Sequence, residues 1–126
     1  MEPYNPTPRY FNIVKVPIIG GSCSLVNTLL DCIDQITIGN YVSFGHDCKV
    51  LTGFHDKFLY MIKRQSSICH APITIKDGVW IASGAIICAG VTIGENAVIG
   101  AGSVVLEDVP FNQFWAGVPA KFIRDI

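Results

Sequence analysis

Three histidines, five cysteines and a handful of aspartates are the side chains of this 126-residue chain with the chemistry to move a proton, attack a carbonyl or hold a metal. His46 stands in Gly45-His46-Asp47-Cys48, His55 in Leu51-Thr52-Gly53-Phe54-His55-Asp56, and His70 just ahead of Ala71-Pro72. A neutral imidazole has a pKa near 6.5, so any of the three is able to take a proton at physiological pH. Cys23, Cys32, Cys48, Cys69 and Cys88 are odd in number and form no CxxC pair. A secreted disulfide scaffold favours an even set and a zinc site favours close pairs, so five reduced thiols is the simpler reading. None of them lies in a motif that marks a nucleophile.

The elements that must position these residues are legible from periodicity. Ile75, Ile81, Ile87, Ile93, Ile99 and Val105 recur every six residues. Four residues after each comes another small or β-branched side chain: Val79, Ala85, Val91, Ala97, Ser103 and Val109. The same period runs upstream through Val26, Cys32, Ile38, Phe44 and Val50, and is lost at Asp56, next to His55. A period of six fits neither a helix nor an ordinary alternating strand. It fits short β segments ending in tight turns, with stacked coils about 4.8 Å apart burying a column of aliphatic side chains. Residues 1–20, with Pro3, Pro6, Pro8 and Pro17, read as an extended arm, laid on the first coil or on a neighbour. Residues 24–50 form the first coils, 51–74 a loop, 75–110 two further coils and 111–126 a C-terminal cover. The loop carries the out-of-register apolar run Phe58–Ile62, expected to pack on a neighbouring subunit or to wall a pocket. The run Lys121–Ile126 is expected to form a short helix closing the last coil, whose open edge would otherwise expose unpaired strand groups.

The segment Ile73-Thr-Ile-Lys-Asp-Gly-Val-Trp80-Ile-Ala-Ser83-Gly-Ala-Ile-Ile-Cys-Ala-Gly90-Val-Thr-Ile-Gly94 resembles the hexapeptide-repeat acyltransferases, as do Ile99-Gly-Ala101-Gly-Ser and Ala116-Gly-Val-Pro-Ala-Lys121. Within them the chain is most similar to sugar O-acetyltransferases of the maltose, galactoside and colanic-acid-biosynthesis type. The resemblance covers roughly residues 24–126 and implies an all-β, left-handed parallel β-helix, a homotrimer with sites between subunits, acetyl-CoA as acyl donor, no metal, and a small-molecule or saccharide acceptor.

Residue by residue, the resemblance makes His55 the general base, since acetyl transfer from a thioester to a hydroxyl needs a group that removes the hydroxyl proton during attack. Asp56 follows it and is read either as holding an acceptor hydroxyl or as ordering the loop. Asn27 and Asp31 are acceptor candidates. Trp80 and Ser83 match the segment beside the thioester and pantetheine arm, Ala101 the small position where that arm passes close to backbone. Lys121 and Arg124 match basic positions near the nucleotide phosphates of coenzyme A. One departure is Glu107, an acid where relatives commonly carry lysine, which opposes an anionic donor. Zinc hydration of the γ-type carbonic anhydrase kind is set aside, because the intervals of 9 and 15 between the histidines do not match that ligand pattern.

Composition narrows the classes further. With 9 Lys+Arg against 10 Asp+Glu the net charge is −1, which lacks the basic excess of a nucleic-acid binder. Half the residues are apolar and only 15% charged, the opposite of a disordered chain, and such low charge suggests apolar surface covered by oligomerisation. The N-terminus has no basic segment before an apolar run, and no stretch reaches the length of a membrane span, so a cytoplasmic protein is expected. Two alternatives stay open from sequence: an N-acetyltransferase acting on an amino sugar, and a non-catalytic β-helix subunit.

Overall fold

The computed structural model describes residues 7–126; Pro3 and Pro6 of the expected arm lie outside them. In chain order the strands before the loop are β1 (Arg9–Phe11), β2 (Ile18–Ile19), β3 (Ser24–Leu25), β4 (Leu29–Asp31), β5 (Ile36–Ile38), β6 (Ser43–Phe44) and β7 (Lys49–Leu51). The loop holds β8 (Gly53–Phe54), helix α1 (Met61–Ser66) and β9 (Cys69–His70). After it come β10 (Ile73–Ile75), β11 (Trp80–Ile81), β12 (Ile86–Cys88), β13 (Thr92–Ile93), β14 (Val98–Ile99), β15 (Val104–Val105), β16 (Gln113–Gly117) and β17 (Ala120–Asp125).

Three sheets receive these strands in rotation. The first is ordered β1-β4-β7-β12-β15, the second β2-β5-β10-β13 and the third β3-β6-β11-β14-β16-β17. All neighbours in them are parallel except β16 and β17. The register follows the sequence period: Ile75 lies beside Ile93, Ile81 beside Ile99 and Ile87 beside Val105, each pair eighteen residues apart. Across the loop Val50 lies beside Ile87, so the excursion is inserted without disturbing the stack.

Both recurrent positions of the repeat point inward. Ile75, Ile81, Ile87, Ile93 and Ile99 are fully buried, as are Val79, Ala85, Ala97 and Ser103. Upstream, Cys32, Ile38, Val50, Ile36, Val42 and Cys48 continue the same two columns. Corners turn through left-handed backbone; at Gly78 (φ +73°) an added Cβ would also strike the Asn96 side chain of the next coil. A buried aliphatic column of this kind draws its stability from apolar surface removed from water at about 25 cal/mol per Å².

The described part of the arm lies extended on the first coils, as expected, and the C-terminal end differs from expectation. In the arm, β1 and β2 pair in parallel with β4 and β5 and extend the first two sheets. The expected C-terminal helix is not formed: Gln113–Gly117 and Ala120–Asp125 make an antiparallel hairpin whose first strand pairs with β14. The reason lies in the edge of the third sheet. A helix there would leave the outer N–H and C=O groups of β14 without partners, whereas β16 satisfies them and carries the aromatic Phe114 and Trp115 into register with Val98 and Ile99. Among the described residues no helix is long and apolar enough to cross a membrane.

Candidate active site

The loop leaves the coils at Thr52, which is fully buried. Its hydroxyl donates to the Asp31 carbonyl at 2.6 Å and accepts the Asp34 N–H at 3.0 Å, pinning the exit to the coil beneath. Gly53 comes next in a crowded place: a Cβ there would lie 2.8 Å from Ile33 Cδ1 and 3.2 Å from Asp31 Oδ2, so both side chains would have to shift. The chain then runs out through β8 and returns through β9, antiparallel, with Gly53 opposite His70 and Phe54 opposite Cys69.

His55 sits at the outer end of this hairpin, exposed, with Nδ1 2.5 Å from the Ser67 carbonyl oxygen. A carbonyl oxygen only accepts, so Nδ1 carries a proton, and in the neutral ring Nε2 then holds the lone pair. Ser67 also receives the Asp56 N–H on its hydroxyl at 2.8 Å. The Asp56 carboxylate accepts the Phe58 N–H at 2.9 Å, a turn contact that orders the loop.

A recess of about 550 Å³ opens beside His55, walled by Val14, Ile33, Phe54 and Ile68 and edged by Asn12 and Asp31. The Asn12 amide donates to Asp31 Oδ1 at 3.1 Å. Asp56 lies in a neighbouring recess of about 340 Å³, which His55 also lines. Asn27 is elsewhere: it occupies a left-handed corner (φ +49°) and donates to the Asp47 carboxylate.

The five residues assigned to the donor divide between two environments. Trp80, Ala101 and Arg124 line one groove of about 710 Å³ on the third sheet, together with Phe114 and Ile126 from the terminal hairpin. Its wall is almost wholly apolar, with Arg124 the one charged side chain among its lining residues. Ser83 is at the adjoining corner, where its hydroxyl accepts the His46 N–H at 2.9 Å. Lys121 does not line the groove; its ammonium donates to Glu107 at 2.9 Å, both groups being exposed. No residue lines both this groove and the recess beside His55.

His70 has a different neighbourhood, donating from Nδ1 to Asp34 Oδ2 at 2.7 Å. Among the described residues no group of three or more His, Cys, Asp or Glu side chains is placed to hold a metal ion. All five cysteines are free thiols. Burial pushes Cys32, Cys48 and Cys88 above the ordinary thiol range, the reverse of an activated nucleophile.

Sequence reasoning missed Asn12 and Ser67. Asn12 reaches the recess only because β1 pairs with β4, and no local motif announces that pairing. Ser67 acts partly through its backbone carbonyl, which any residue would supply.

Comparison with known proteins follows the same lines. Residues 72–107 match the family model described as bacterial transferase hexapeptide (six repeats). The chain is 41% identical over 91 residues to the galactoside O-acetyltransferase of Escherichia coli (strain K12), covering 72% of this chain and 44% of that protein. Among solved structures it is similar to a maltose O-acetyltransferase from Clostridium difficile 630, at 34% identity and a TM-score of 0.78, covering 95% of this chain and 64% of that one. It is also similar to a hexapeptide-repeat containing acetyltransferase from Vibrio cholerae O1 biovar eltor complexed with acetyl coenzyme A, at 27% identity and a TM-score of 0.75, covering 94% and 70%. The chain spans about half the length of the curated relatives it matches: 47%, 44% and 47% of the first three.

Proposed function

We propose, from a chain that belongs to the hexapeptide-repeat transferase family, that it moves an acetyl group from acetyl-CoA to a hydroxyl of a small saccharide, with His55 as general base. The observation that carries this reading is the bond from His55 Nδ1 to the Ser67 carbonyl, which assigns the lone pair of the neutral ring to Nε2, on a side chain that lines a recess edged by Asn12 and Asp31.

In the step we propose, the acceptor hydroxyl attacks the thioester carbonyl carbon and its proton passes to His55 Nε2. The C–S bond then breaks, and the imidazolium returns the proton to the departing sulfur. An O-acetyl ester and free coenzyme A result, with neutral His55 restored. The recess suits a saccharide because apolar walls meet the faces of a sugar ring while Asp31 and Asn12 offer an acceptor and a donor to its hydroxyls.

The groove on the third sheet fits the donor. Its apolar wall suits the pantetheine arm, Ala101 leaves space for that arm against backbone, and Arg124 offers a charge to phosphate. Because this groove and the His55 recess share no lining residue, the reading includes a homotrimer in which His55 of one subunit faces the groove of the next. It also includes a left-handed winding of the three sheets, in keeping with the resemblance, and a cytoplasmic setting where acetyl-CoA is at hand.

The test is acetyl-CoA binding by calorimetry, followed by acetyl transfer to maltose and to a methyl galactoside. His55→Ala is expected to lower kcat by about 10²- to 10⁴-fold while the Kd for acetyl-CoA stays within about twofold, because His55 does not line the donor groove. A folded protein that binds no acetyl-CoA would sink the reading.

A further inference from the structure

A buried carboxylate with no part in the proposed reaction lies directly under the hairpin that carries His55. Asp34 is 7% exposed, yet its side chain collects three donors from three separate segments. The Gln35 N–H reaches Oδ1 at 2.6 Å, the Lys15 ammonium the same oxygen at 3.5 Å, and His70 Nδ1 reaches Oδ2 at 2.7 Å. The Asp34 backbone N–H is bonded in turn to the Thr52 hydroxyl, and the Thr52 carbonyl receives the Ala71 N–H at 3.0 Å. Asp34 thus grips both feet of the loop, Thr52 where it departs and His70 where it returns.

Those feet set the angle of the β8–β9 hairpin. His70 stands opposite Gly53 and Cys69 opposite Phe54, and one step further out His55 meets the carbonyl of Ser67. The hairpin has two cross-strand pairs, so its tilt depends on the bonds at its feet. A buried carboxylate is expensive unless its partners are well placed. The partners of Asp34 join the coil to both ends of the loop, which gives the carboxylate a geometric role beside any stability it adds.

We infer that Asp34 and His70 form a positioning pair for His55: the bond between them holds the hairpin so that Nδ1 of His55 meets the Ser67 carbonyl and Nε2 stays free for the acceptor proton. The inference rests on the proposed role of His55, but it makes a claim about the tautomer of that residue which is measurable without any substrate. His70→Ala removes the outer grip: Asp34 Oδ1 keeps Gln35 and Lys15, while Oδ2 loses its bond to the loop. His70→Asn places an N–H where Nδ1 was, since both nitrogens are attached to Cγ.

The experiment uses the full chain with nitrogen-15 labelled histidine. Long-range nitrogen–proton spectra of His55 are expected to show a single Nδ1–H tautomer in the wild type, a mixture of the two tautomers in His70→Ala, and the single tautomer again in His70→Asn. With acetyl-CoA and whichever of maltose or methyl galactoside is acetylated, His70→Ala should lower kcat by about tenfold or more, since small displacements of a reacting group are costly. The KM for acetyl-CoA should not change, and His70→Asn should recover most of the loss. An unchanged His55 tautomer in His70→Ala, or no recovery in a folded His70→Asn variant, would overturn the inference. Failure of the wild type to bind acetyl-CoA would instead count against the proposed function and leave the tautomer result to stand or fall by itself.

Discussion

Lys121 and Glu107 face each other across 2.9 Å, with each side chain more than half exposed. An ion pair in that setting is weak, because water and salt compete for both partners. Its consequence is local: the acid at 107 occupies the lysine that the family resemblance would send to a phosphate. Glu107→Gln is therefore expected to free Lys121 and tighten acetyl-CoA binding by about two- to fivefold at low salt. The gain should shrink as salt screens exposed charge, and calorimetry at two salt concentrations checks both parts. At this scale the sequence was informative about residue type and less so about neighbours. Glu107 is legible as an odd charge, but its partner is not, because Lys121 reaches it from a strand fourteen residues away. Asn12 shows the same limit. Nothing near it in sequence predicts a bond to Asp31, which follows from the pairing of β1 with β4.

Among the elements, the short strands of the coils were readable and the two departures from them were not. Ile87 and its equivalents announce themselves because a fixed period of six places the same side-chain type in the same buried column. The terminal hairpin lacks that advantage: Phe122, Ile123 and Ile126 are spaced as suits a helix face, and only the unpaired edge of β14 decides for a strand. Lys121 then sits opposite Ala116 and Arg124 opposite Phe114, so just one of the two cations lines the groove. The β8–β9 hairpin was legible only as a loss of phase, and its anchor on Asp34 not at all. That anchor predicts an acid response. The His70 bond first, and the Gln35 N–H after it, hold Asp34 below the usual carboxylate range. The unfolded chain, with an ordinary pKa of about 3.9, therefore binds the proton more readily than the folded one. The stabilisation is present above that value and is lost as pH falls through it toward the lower native pKa. Thermal midpoints measured from pH 6 to pH 3 should fall more steeply for the wild type than for Asp34→Asn. Parallel curves would mean that the pair contributes nothing to holding the loop.

For the whole molecule, the arrangement of surfaces bears on how many chains make one site. Phe58, Tyr60, Met61, Ile62 and Ile68 leave the loop largely exposed, and Trp80 is 53% exposed at the rim of the groove on the third sheet. Apolar surface on this scale, in a chain with few charges, is the kind that subunit contacts cover. If the contact is the proposed trimer, the particle should have three times the chain mass of 13.7 kDa in sedimentation equilibrium. A sharper consequence follows from the separation of His55 from the groove. His55→Ala removes the base from its own subunit, and Ala101→Trp blocks the groove of its own subunit; each variant alone should be inactive in transfer from acetyl-CoA. Mixed by unfolding and refolding together, they form trimers in which some junctions pair an intact His55 with an intact groove. Random assembly of equal amounts makes such junctions about a quarter of the total for a cyclic oligomer. Recovery of about that fraction of wild-type activity would establish that each site is built from two chains. No recovery from a refolded mixture of the right mass would place His55 and its donor groove within one chain, and would require the loop to swing from the recess beside Asp31 toward Trp80.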